Sequence, residues 1–196
     1  SSIPTLFNIR ILKKIWKFAA AMSLNSIISI LLTQLDKIIL IRILTLTEFG
    51  YYSVALTSAS FIWLILNPFN AAVFPRLVQL YELKNNRKLK FEFHHYSQIL
   101  SVLLLPLSAL LIIYSHEILL IWLNDPIIAD NSYIIMGLIL FGTMLNGLPS
   151  VPGNCSIGFG WPMLVTYVNL SQLIVIIPLL LWLVSLYNGL GAAITW

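Results

Sequence analysis

Charge is what this sequence has least of. Of 196 residues, 9% are Asp, Glu, Lys or Arg, while 59% are hydrophobic. Soluble chains carry roughly 25% charged residues to cover their cores. So few charges exclude a soluble globule, and the net charge of +4 must be read by its placement rather than as a nucleic-acid footprint. Cysteine is almost missing as well. Cys155 stands alone, which excludes an internal disulfide and a thiolate metal site. His94, His95 and His116 have no companions at metal-ligand spacing. No nucleophile elbow, phosphate-cradling glycine loop or zinc signature occurs, so neither an enzyme nor a bound metal or cofactor is expected.

What the chain does contain is apolar runs of about 20 residues, the length a bilayer requires. They predict an all-α membrane bundle with spans at about 16–44, 51–74, 97–114, 132–148 and 163–187, and the start of a sixth at 190–196. TLTEFG (45–50) breaks the first run, with Thr47 placed to cap the next helix. Polar connections are expected at 75–96, 116–131 and 149–162. There is no initiator Met, and GLGAAITW stops short of a span. The expectation is therefore one transmembrane unit, 1–196, cut from a larger transporter.

Lysine and arginine placement predicts orientation. Arg10, Lys13, Lys14 and Lys17 precede the first span, and Arg76, Lys84, Arg87, Lys88 and Lys90 follow the second. Both groups can face the cytoplasm together, which puts residues 1–15 and 76–95 inside. The 116–131 connection carries acids and no Lys or Arg, as suits the outer face. The basic, aromatic run at 80–96 reads as contact with inner-leaflet lipids, with no nucleic acid involved.

Within the spans, polar residues recur at helical spacing: Ser26, Ser29 and Thr33; Ser53, Thr57, Ser60 and Asn67; Thr166, Asn169 and Gln172. Such stripes must face protein or water rather than lipid. QLDKIILIR (34–42) sets Asp36, Lys37 and Arg42 into the first span, where each charge is costly and is by default a functional candidate. Asp36 and Lys37 are neighbours in sequence but point in different directions on a helix. Asp36 can pair with a base on another helix, or bind a proton or cation. Lys37 or Arg42 can meet an anion. Arg76 either anchors to lipid phosphate or lines an inner cavity mouth. Pro68 and Pro106 interrupt helical hydrogen bonding and are hinge or kink candidates.

Read in order, QLDKIIL (34–40), EFGYYSVA (48–55), NPFNAAVFPRLVQLY (67–81), LLIWLND (119–125), GFGWPMLVTYVNL (158–170) and YNGLGAAITW (187–196) resemble the polysaccharide flippases of the MATE-like multidrug/oligosaccharidyl-lipid/polysaccharide exporter superfamily, above all the Wzx-type O-antigen flippases. The resemblance implies twelve or more helices in two pseudo-symmetric halves, with this chain as most of the second. It implies alternating-access transfer of undecaprenyl-diphosphate-linked oligosaccharide across the bacterial inner membrane, driven by an H⁺ or Na⁺ gradient. Implied partners are the lipid-linked oligosaccharide, membrane lipids, the other half, and polysaccharide polymerase and chain-length proteins. Asp36, Lys37, Arg42 and Arg76 become cavity candidates, joined by Asn67, Asn169 and Gln172. A MATE-type drug or cation antiporter is the alternative; the two bases beside Asp36 argue against it. A membrane enzyme would rest on His116–Glu117, the one acid/base neighbour pair in an outer connection.

Overall fold

A computed structural model describes the backbone of residues 9–196 and the side chains of residue 16 and residues 19–196. Residues 1–8, and the side chains of Arg10, Lys13, Lys14 and Lys17, lie outside the described residues. The rest is helical: α1 Ile9–Ile43, α2 Leu46–Ala59, a 3₁₀ turn at Ser60–Ile62, α3 Trp63–Glu82, α4 Asn86–Ile113, α5 Ser115–Leu123, α6 Pro126–Gly147, α7 Ser150–Gly158 and α8 Pro162–Ile194. Among the described residues, five helical runs are long and apolar enough to cross a membrane: Ala19–Ile43, Leu46–Glu82, Asn86–Ile113, Pro126–Gly158 and Pro162–Ile194. Together they make an all-helical, multi-pass membrane protein.

Beyond the first, these runs are longer than the apolar stretches, chiefly because the polar connections are themselves helical. Residues 75–96 contribute the end of α3 and the start of α4, separated by three residues. Residues 116–131 hold α5 and the first turns of α6, and 149–162 holds α7. Backbone polar groups near a membrane are best satisfied within the segment, and a helix does this at any depth.

Local chemistry sets the boundaries. Thr45, not Thr47, caps α2: its hydroxyl accepts from the Glu48 N–H at 3.3 Å, while Glu48 Oε2 accepts from the Thr45 N–H at 3.0 Å. The reason is spacing, since Thr-x-x-Glu closes a reciprocal capping box only from position 45. Thr45→Ala is expected to cost ~1 kcal/mol, read as a lowered unfolding temperature of the full-length protein in detergent. Asn124 ends α5 in the left-handed conformation at φ 52°, and Asp125 Oδ1 accepts from the N–H groups of Ile127 and Ile128. With Pro126 at the first helical position, three consecutive residues stop one helix and start the next.

Helix α6 is the centre. Half of its most apolar window is buried, against 17% for α1, α4 and α8, and it packs against α2, α4, α5 and α8. Small residues allow the approach: Gly142 and Gly147 lie against Trp196 and against Leu66 and Leu104, and Ser132 and Thr143 are buried with them. This is how helices associate where lipid removes the hydrophobic drive. Helix α1 packs chiefly on α8. Outward faces are apolar, with Ile121, Ile30 and Trp182 exposed, as a lipid-facing surface should be.

Within the membrane-crossing runs of the described residues the backbone leaves the α-helical path at Leu148–Pro149, between α6 and α7, and at two places that are not prolines. One is the 3₁₀ turn at Ser60–Ile62. The other is Asn188 in α8, at φ 51° and ψ −129°, where the chain doubles back so that Gly191 meets Leu183. Pro68 and Pro106 are exposed and lie inside α3 and α4, which continue through them as helix.

Candidate functional site

The acid in the first span is buried: Asp36 is 6% exposed. Its partner is Tyr52, sixteen residues on and 0% exposed, whose hydroxyl donates to Asp36 Oδ2 at 2.6 Å. The Trp196 indole N–H in turn donates to the Tyr52 oxygen at 3.0 Å. A chain of hydrogen bonds thus joins α1, α2 and the segment after the Asn188 reversal. Asp36 Oδ1 is buried and has no hydrogen-bond partner among the described residues. An unpaired carboxylate oxygen in a low-dielectric setting is costly, and the Asp36 side chain borders an open space.

That space is a cavity of about 280 Å³ between α1, α6 and α8. Asp36, Thr33, Asn146, Gln172 and Thr195 supply its polar lining; Leu32, Leu173, Ile176 and Leu180 make it otherwise apolar. A second cavity, of about 180 Å³, is bordered by Lys37, Gln34, Ser60, Trp63 and Thr143. Thr33 and Trp196 border both.

The expected site residues divide accordingly. Asp36 and Gln172 border the larger cavity and Lys37 the smaller. Asn169 is placed on the α1–α8 seam, where its amide donates to Asn25 Oδ1 at 2.9 Å and Ser29 Oγ at 3.4 Å. Arg42 and Asn67 are exposed and border neither cavity. Arg76 also lies away from both: its guanidinium sits 3.5 Å from Glu92 and donates to Gln79 Oε1 at 3.0 Å. His116 meets Asp130 at 2.8 Å and stands edge-on to Tyr133 at 5.4 Å, so its acid is not the neighbouring Glu117. Most stripe hydroxyls, including those of Ser26, Thr33, Ser53, Thr57 and Thr166, bond back to carbonyls one turn earlier in their own helices, a common way to quiet such groups in a helix.

Tyr52, Trp196, Trp63, Asn25 and Asn146 were not singled out from sequence. Tyr52 offered a faint signal, as one of two tyrosines in EFGYYSVA, but nothing in a linear pattern says which of them turns inward. Among the described residues no cluster of three or more His, Cys, Asp or Glu groups suited to a metal occurs.

Comparison with known proteins accords with this architecture. Over 184 residues the chain is 26% identical to a Shigella flexneri protein named "Putative O-antigen transporter", covering 94% of this chain and 43% of that relative. The chain therefore spans less than half the length of the relative, whose name describes a transporter and not an enzyme. No solved structure matches the chain. Residues 2–126 match a family described as "Polysaccharide biosynthesis protein". That match takes in α1 to α5 with both members of the Asp36–Tyr52 pair, and the chain belongs to this polysaccharide biosynthesis protein family.

Proposed function

We propose that this chain forms one lobe of an exporter that carries an undecaprenyl-diphosphate-linked oligosaccharide, of the O-antigen kind, across the bacterial inner membrane by alternating access. Family membership and the transporter-named relative support the substrate class. The observation that carries the mechanism is Asp36: a buried carboxyl with one oxygen unpartnered, bordering a cavity large enough for several water molecules or an ion. A cation entering that cavity, H⁺ or Na⁺, satisfies Oδ1 and changes the charge of the α1–α2–Trp196 junction. The other lobe lies in the remaining length that the relative has and this chain does not. Residues 1–15 and 76–95 face the cytoplasm in this reading, and polymerase and chain-length proteins take the product on the outer side.

The test is complementation. A host lacking its own O-antigen exporter, supplied with the full-length protein and the matching glycan pathway, should regain surface polysaccharide and lose the lipid-linked precursor accumulated inside. Protein present in the membrane with no polysaccharide at the surface counts against the reading. If it confers drug resistance instead, the antiporter alternative takes its place.

A further inference from the structure

Two connections far apart in sequence meet at one end of the bundle. Residues 83–85 join α3 to α4, and residues 159–161 join α7 to α8. Tyr81, in the last turn of α3, stacks on Phe159 with ring centroids 4.2 Å apart and planes 16° from parallel. Just before them, Phe74 and Val78 lie against Gly158. Each connection separates two membrane-crossing runs, so the contact fixes both at the same membrane face.

The residues flanking this contact are of two kinds. Large apolar side chains stand out at the ends of the runs: Trp161 is 71% exposed, Phe91 70% and Leu83 67%. Aromatic groups at such a level suit the headgroup region. With them stand bases. Lys84, Arg87, Lys88 and Lys90 are exposed, and none has a carboxylate within 4.0 Å among the described residues. Arg76 is held apart from this group by Glu92 and Gln79. Helix α4 aims the charge away from the bundle. Leu89, Phe93, Tyr96 and Leu100 turn towards the core, while Arg87, Lys90, Phe91 and His94 recur at helical spacing on the opposite, exposed face.

We propose that the two turns and the exposed face of α4 form a docking surface for the head groups of anionic phospholipids. Lys84, Arg87, Lys88 and Lys90 meet the lipid phosphates, and Trp161 and Phe91 enter the headgroup layer. Through the Tyr81–Phe159 stack, lipid held at one connection also steadies the other. Charge complementarity selects this occupant, because bases beside a span gain from each anionic neighbour in the leaflet. The exposed aromatics at the same level favour a bilayer over an aqueous partner. Residues 159–161 carry no charge, and only the stack brings them into this surface. No particular cargo is needed, so the inference stands apart from the export reading.

Purified full-length protein in detergent is titrated with phosphatidylglycerol, phosphatidylcholine and inorganic phosphate. Bound lipid is counted by native mass spectrometry, and the unfolding temperature is read alongside. Phosphatidylglycerol should bind at least tenfold more tightly than phosphatidylcholine and raise the unfolding temperature. Both effects should shrink at ~1 M salt, where the screening length is about 3 Å. Replacing Lys84, Arg87, Lys88 and Lys90 together by Gln should abolish the preference, whereas Trp161→Gln should weaken both lipids alike. Glu82→Gln removes an exposed acid beside the bases and should strengthen phosphatidylglycerol, a gain that misfolding cannot mimic. Equal binding of the two lipids by the unaltered protein overturns the proposal, as does a preference that survives loss of all four bases. Displacement of phosphatidylglycerol by millimolar phosphate assigns the bases to a free anion and overturns it too.

Discussion

Asp36→Asn is expected to leave the full-length protein in the membrane at a near-normal level and to reduce polysaccharide export at least tenfold. The substitution keeps size and shape, and the Asn carbonyl oxygen can still accept from the Tyr52 hydroxyl where Asp36 Oδ2 now does at 2.6 Å. What it removes is the charge and the second carboxylate oxygen, the one that has no partner among the described residues. If the carboxyl only fastens α1 to α2, Asn does the same and export persists. If the charge works against the cavity of about 280 Å³ beside it, export falls although the fold does not. Asp36→Leu serves as the contrast. It strands the Tyr52 hydroxyl, 0% exposed as a residue, at a cost of about 1–3 kcal/mol for an unsatisfied buried group, so it should lower both yield and export. Quantified surface polysaccharide and membrane protein level, measured together in the complemented host, separate the cases. Normal export by Asp36→Asn would return Asp36 to a packing role.

Gly191→Ala is expected to be among the most disruptive single-methyl changes in the chain. After the reversal at Asn188, Gly191 lies directly on the Leu183 backbone carbonyl, and an added Cβ would also come within 2.8 Å of the Val184 nitrogen. Backbone cannot step aside as a side-chain tip can, so the cost should reach or exceed the upper end of the ~1–3 kcal/mol typical of overpacking. The consequence reaches the cavities, because the displaced segment carries Thr195, which borders the larger one, and Trp196, which borders both. The Asn188 amide also donates to Glu48 Oε1 at 3.2 Å, the same carboxylate that closes the α2 capping box. Disturbing the reversal therefore loosens the start of α2 as well. Gly50→Ala is the control: no atom lies within 4 Å of its added Cβ, and Ala in a helix interior gains up to about 1 kcal/mol over Gly. Unfolding temperatures in detergent should fall sharply for Gly191→Ala and hold or rise for Gly50→Ala. Equal behaviour of the two would mean that the close approach at Gly191 does not persist in the full-length protein.

How far the site could be read in advance differs residue by residue. Asp36 was conspicuous because lipid penalises charge wherever it occurs, and that penalty needs no knowledge of neighbours. Arg42, Asn67 and Arg76 drew attention on the same grounds, yet they border neither cavity: polarity in a span announces that a group needs a partner, not which one. Arg76 has Glu92 and Gln79. The stripes of Ser and Thr illustrate the same limit, since a hydroxyl satisfied by its own helix looks identical in sequence to one reaching across. Pro68 and Pro106 are hinge candidates on local grounds and lie within continuous helix; the backbone departs from helix at Ser60–Ile62, Leu148–Pro149 and Asn188, and the first and last of these carry no proline to announce them.

By itself the sequence determined the solvent and the helical class, because bilayer thickness and backbone hydrogen bonding act within one span of chain. It also determined that Asp36 and Lys37 point apart, which is a property of any helix. Only the tertiary structure decided that Tyr52 and Trp196 complete the acid's hydrogen-bond chain, and that the two charges open onto separate cavities. Those relations join residues up to 144 positions apart. They depend on which helix faces pack together, and no local preference encodes that choice.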